Sequence, residues 1–116
     1  MEPIRVGVIG VGHLGQHHAR LYAALPDAHL VGVMDIDADR AGTIAERYGV
    51  PAFRRAEDLL DRVDAVSVAV PTTAHYGVVK TCLEAGVHVL VEKPITAAPA
   101  EAYQLIDLAQ IGRAHV

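Results

Sequence analysis

The apolar positions of the chain fall into short unbroken runs, separated by stretches with helical spacing. Ile4–Ile9 is apolar except at Arg5 and Gly7, and Leu30–Met34, Ala65–Val70 and His88–Val91 are similar runs rich in β-branched residues. Ala52-Phe53 is a shorter one. Runs of this length without polar alternation predict strands buried on both faces, as in a parallel sheet covered by helices on each side.

The intervening segments carry helical periods and stops. Leu14, His18, Leu21 and Leu25 recur at helical spacing up to Pro26-Asp27, which places His18 on the same helix face as the leucines. Asp37 suits an N-cap before Ala41, Ile44, Ala45 and Tyr48, with Gly49 as the C-terminal cap and Pro51 beyond it. A short helix is expected around Glu57–Arg62, and another carries Val78, Val79, Cys82 and Leu83 and closes at Gly86. Pro99 suits the first turn of a last helix with Ala102, Leu105, Ile106 and Ala109. The β-α-β-α order calls for right-handed crossovers, hence a doubly wound, mostly parallel α/β sheet of about five strands with helices on both faces. Such sheets bind ligands at the carboxyl ends of their strands.

Composition narrows the class further. The chain has 116 residues, 52% of them hydrophobic and 21% charged, which suits one globular domain with a single core. A net charge of −4 and only one adjacent basic pair, Arg54-Arg55, argue against a nucleic-acid partner. The one cysteine, Cys82, has no disulfide mate and lies on an apolar helix side, so it is expected to be a buried, inert thiol. The first residues lack a signal-peptide pattern, and no apolar run approaches the ~20 residues that span a bilayer. A soluble cytoplasmic protein without a membrane partner is expected.

The first strand ends in Gly10-Val11-Gly12-His13-Leu14-Gly15. A G-x-G-x-x-G pattern is weak alone, but here it follows a strand, opens a helix and lies in a β-α-β unit of about 30 residues. Gly10 permits the tight turn, Gly12 lets a pyrophosphate approach the backbone, and Gly15 lets helix and strand pack closely. Asp35 ends the second strand twenty residues past Gly15, where a carboxylate accepts both ribose hydroxyls and repels a 2′-phosphate. NAD is therefore favoured over NADP. Arg40, five residues on, keeps NADP open or stacks on adenine. Ile36 and the loop residues His13 and Leu14 complete this part of the cofactor set, and a plain tight turn with Asp35 as a strand-end cap is the alternative. His13 and His17 stand one helical turn apart, but no cysteine or carboxylate cluster joins them, so no metal is expected.

The fourth strand runs into Pro71-Thr72-Thr73-Ala74-His75 and the fifth into Glu92-Lys93-Pro94. VGVIGVGHLG, VMDID, VPTTAH and EAGVHVLVEKP, in that order over residues 4–109, resemble the glucose–fructose oxidoreductase and inositol 2-dehydrogenase family. The resemblance implies an N-terminal NAD(P)-binding Rossmann domain. It also implies transfer of hydride between nicotinamide and a hydroxyl of a sugar, nucleotide sugar or polyol. Pro71, Thr72, His75, Glu92 and Pro94 would then flank the cofactor, with Thr72 standing where the family more often has asparagine. Lys93 would lie near both nicotinamide and substrate hydroxyl. Desolvation and a nearby cation disfavour a lysine's charge at such a place, which moves its pKa toward the range useful for proton relay. Two rivals are a non-catalytic NAD-binding sensor and a different Rossmann enzyme such as an amino-acid or imine reductase.

Residues 1–110 are expected to form an incomplete Rossmann domain, lacking a sixth strand. The substrate pocket of the family comes from a second α/β domain, through which a homo-oligomer is expected, and that domain is missing here. Residues 111–116 break the helical pattern and resemble the translation of a sequencing adapter, so they are expected to be a non-native tail. Such a fragment should bind NAD weakly, turn over no sugar and tend to aggregate through its exposed sheet edge.

Overall fold

The computed structural model describes residues 3–91. The elements run β1 (Ile4–Ile9), α1 (His13–Ala24), β2 (Ala28–Met34), α2 (Ala38–Tyr48), β3 (Ala52–Phe53), α3 (Ala56–Leu60), β4 (Ala65–Val68), α4 (Thr72–Glu84) and β5 (His88–Val91). They build one parallel sheet in the order β3-β2-β1-β4-β5. The chain winds outward from β1 to β3, then crosses to β4 and winds the other way. The winding therefore reverses between β1 and β4, and the crevice above those two strand ends is where this topology places a ligand.

Each sheet face has its own core. Val6, Val8, Val11, Leu30 and Val33 meet Ala19, Ala41, Ile44 and Ala45 beneath α1 and α2. Ile9, Val66, Val68 and Val89 meet Leu59, Leu60, Val79, Cys82 and Leu83 beneath α3 and α4. Cys82 is fully buried, and burial pushes its thiol up to about 12, which keeps it protonated and inert.

Local signals placed the helix ends. The Asp37 carboxylate accepts the Arg40 backbone N–H at 3.1 Å as the N-cap of α2, and Gly49 closes that helix at φ 67°. Several boundaries differ from the sequence expectation. β2 begins at Ala28, and α3 spans Ala56–Leu60 rather than 57–62. β4 stops at Val68, although the Ala69 N–H still donates to the Ile9 carbonyl at 2.8 Å. α4 starts at Thr72, directly after Pro71, so Thr72–His75 form its first turn. Among the described residues β5 packs chiefly through Val89, and Leu90 is 55% exposed.

The buried side of α1 is the main correction. Leu14, Leu21 and Leu25 mark the helical period, yet they are 40%, 42% and 50% exposed. The buried positions are Gly15 and Ala19, followed by the half-buried Tyr22, whose hydroxyl meets the fully buried Ser67 at 2.5 Å. The helix approaches the sheet so closely at its start that only small residues fit beneath it. His18 is half-buried and meets the Tyr22 ring edge-on.

Candidate functional site

The β1–α1 loop is shaped by two steric demands. Gly10 has φ 91°, and a Cβ there would lie 2.7 Å from the Ala69 carbonyl oxygen. At Gly15 a Cβ would come within 1.6 Å of the Gly10 carbonyl oxygen, so the first turn of α1 rests directly on the loop. Gly12 is different: the space beside it is open, and a Cβ would meet only Arg40 Nη1, at 4.0 Å. Gly12 is also the N-cap of α1 and supplies no side-chain hydrogen bond to that helix end. The free N–H groups and positive end of the helix dipole thus open onto a backbone surface that a bulky anion can reach.

Asp35 stands beside this loop with its side chain only 3% exposed. Its carboxylate accepts the Val11 N–H at 2.8 Å and the Asp37 N–H at 2.8 Å, and Arg40 forks onto both oxygens at 3.2 and 3.0 Å. Burial pushes this carboxyl up, but the Arg40 hydrogen bonds, the Asp37 and Val11 N–H groups and the Arg40 charge together hold it below its ordinary 3.8. A carboxyl depressed by folding contributes stability that is complete above its unfolded value and lost as pH falls through the lower folded value. The thermal midpoint should therefore fall as the pH drops below 3.8, and Asp35→Asn should flatten part of that fall. An acid limb equally steep in wild type and variant would refute this role for Asp35. Asp64, lowered chiefly by its hydrogen bond from Arg5, is exposed and should contribute less.

Loop, strand ends and α4 enclose a cleft of about 550 Å³. Gly10, Gly12, Leu14, Asp35, Ile36, Arg40 and Pro71 line it. Ile36 is 98% exposed, an apolar side chain standing next to the Asp35 carboxylate. Gly15 lies under the loop rather than in the cleft, and His13 opens α1 with an exposed side chain outside the lining. Thr72 and His75 fall in the first turn of α4. Glu92, Lys93 and Pro94 lie outside the described residues. Ile9 pairs with Val68 and Val68 with Val91, so β1, β4 and β5 end level at the rim of the cleft.

Sequence reasoning missed the apolar part of the lining, Ile9, Met34, Ala69, Val70, Ala74 and Val78. Ala69 and Val70 follow a strand end, and Ala74 and Val78 are one turn apart on α4, so strand ends plus helical spacing could have found them. The site thus joins a glycine loop with free helix N–H groups, a buried carboxylate and an apolar lining, which suits an extended molecule with a charged middle and flat rings. Among the described residues no group of three histidine, cysteine or carboxylate side chains is placed to hold a metal ion. No helix among them is long and apolar enough to cross a membrane.

The profile of a family described as "Oxidoreductase family, NAD-binding Rossmann fold" matches residues 4–114. A UDP-N-acetylglucosamine 3-dehydrogenase of Acidithiobacillus ferrooxidans is 48% identical over 110 residues, covering 95% of this chain and 34% of that one. Its solved structure superposes with a TM-score of 0.93 over 98% of this chain and 36% of that one, at 46% identity. An inositol 2-dehydrogenase of Rubrobacter xylanophilus is 40% identical over 97% of this chain and 33% of that one. A protein of gentamicin A biosynthesis, solved in complex with NAD, gives a TM-score of 0.92 at 32% identity, over 99% of this chain and 34% of that one. The chain spans about a third of the length of the curated relatives it matches.

Proposed function

The chain belongs to the oxidoreductase family with an NAD-binding Rossmann fold, and from that premise we propose that it is the cofactor-binding part of a sugar, nucleotide-sugar or polyol dehydrogenase. The observation that carries the reading is the pairing of an open anion-accepting loop at Gly12 with the Asp35 carboxylate across one cleft. In this reading Gly10, Gly12 and the start of α1 receive the pyrophosphate, and Asp35 receives the adenosine ribose. The exposed face of Ile36 meets the adenine, and Leu14 lies along the same side. Pro71, Thr72 and His75, at the start of α4, border the nicotinamide end, together with Glu92 and Pro94 beyond β5.

The dinucleotide supplies the hydride acceptor or donor. Lys93, two residues past the last described strand residue, takes the hydroxyl proton when the alcohol is oxidised and returns it when the carbonyl is reduced. Ala69, Val70, Ala74 and Val78 keep water from that end of the cleft. A UDP-N-acetylglucosamine 3-dehydrogenase and an inositol 2-dehydrogenase among the relatives support a ring hydroxyl as the reacting group. A second, substrate-binding domain, a homo-oligomer and a cytoplasmic location belong to the same proposal.

Direct titration tests the binding half of the reading. The fluorescence of reduced nicotinamide follows binding directly. Saturable binding of NADH is expected with Kd on the order of 10–100 μM, within the usual range of enzyme–ligand affinities. No saturation of either NADH or NADPH at millimolar concentration would overturn the proposal.

A further inference from the structure

Asp35 has no acceptor position to spare. Oδ2 takes the Val11 N–H and Arg40 Nε, while Oδ1 takes the Asp37 N–H and Arg40 Nη2. An ionised carboxylate offers about four lone-pair sites, and four donors now fill them. Two of those donors are main-chain groups, one in the glycine loop and one at the cap of α2, and neither can leave without disturbing the fold. The other two belong to a single side chain, 43% exposed. The remaining nitrogen of that guanidinium, Nη1, is the nearest atom to the open side of Gly12. Arg40 therefore lies between the loop and the carboxylate, across the path that a ribose attached to a loop-bound pyrophosphate would take.

We propose that Arg40 is an internal competitor for the ribose position, which must release the Asp35 carboxylate before an adenosine diol can be held there, and that it thereby sets cofactor preference. The inference rests on the dinucleotide reading above. A diol brings two neutral O–H donors to replace two N–H donors of a cation, so the exchange forfeits a charge-assisted fork. NAD binding is weakened by that exchange. A ribose carrying a 2′-phosphate meets the opposite balance, because Arg40 between phosphate and carboxylate reduces their repulsion. Removing Arg40 should thus shift the two cofactors in opposite directions. The substitution is mild for the fold, since the N-cap bond of α2 uses the Arg40 backbone N–H rather than its side chain.

The test titrates NADH and NADPH separately into the wild-type chain, Arg40→Ala and Arg40→Lys. Arg40→Ala is expected to bind NADH about threefold to tenfold more tightly than wild type, the scale of a half-exposed ion pair, and NADPH more weakly. Arg40→Lys keeps the charge without the fork and should fall between the two for NADH. If wild type binds NADH and Arg40→Ala binds it equally or less well, the competitor role is wrong while the dinucleotide reading stands. If none of the three binds either cofactor, both fail.

Discussion

Gly15→Ala is expected to destabilise the chain by about 3 kcal/mol, the upper end of the usual overpacking cost, and to abolish measurable NADH binding. The added methyl would sit 1.6 Å from the Gly10 carbonyl oxygen, which is backbone and cannot rotate away. α1 would have to lift off β1, spoiling the contact of Ala19 with Val6 and Val8 in the core cluster beneath it. The control is Gly12→Ala, one step away in the same motif. Its methyl enters open space, with only Arg40 Nη1 at 4.0 Å, so the denaturant midpoint should barely move. The methyl nonetheless occupies the surface a pyrophosphate would approach, and should weaken NADH about 10- to 100-fold, worth one or two charge-assisted hydrogen bonds. Denaturant unfolding and titration of both variants separate the two roles. A Gly15→Ala protein with a wild-type midpoint would show that α1 does not rest on the loop.

Lys93→Met is the second large effect, read in the enzyme with its substrate-binding half present. Methionine keeps most of the length and the apolar stem but removes the proton-carrying amine. A fall in kcat of about 10²- to 10⁴-fold is expected, the usual contribution of general acid–base catalysis, with NADH affinity changed by less than about threefold. The limb of the pH–rate profile that reports the amine should vanish with it. Unchanged turnover, or a loss explained wholly by weaker NADH binding, would remove Lys93 from the proton path. The proposal draws on the order of motifs from Gly10 to Pro94 and on the level ends of β1, β4 and β5.

Much of the site was legible because its pieces are local. The Gly10–Gly15 spacing is a contract between one strand end and one helix start, and Asp35 follows its strand directly. The parallel, doubly wound class needed only the alternation of strands and helices with right-handed crossovers, whereas the order β3-β2-β1-β4-β5 came from the structure. Less was legible where position depends on distant neighbours. The sequence could not show that α4 begins at Thr72, because Pro71-Thr72-Thr73 serves equally as a loop or a first turn. Nor could it show that Leu90 stays 55% exposed, since a strand of this composition is equally at home with both faces covered. The apolar wall of the cleft was missed because Ala69, Val70, Ala74 and Val78 carry no chemical signature and become a surface only when β4 and α4 are brought beside the loop.

The sequence by itself determined the alternation of strands and helices, the Asp37 and Gly49 caps, the glycine loop and the carboxylate that faces it. Each is set by bonding or steric preference within a few residues, so periodicity and residue type suffice to find it. Tertiary structure alone decided which side of α1 is buried. The leucines state the helical period, but the close seat of Gly15 on Gly10 leaves room beneath only for Gly15 and Ala19, and turns Leu14, Leu21 and Leu25 outward. It also decided what Asp35 holds. Arg40 is close in sequence, yet only the fold brings its guanidinium back onto both carboxylate oxygens.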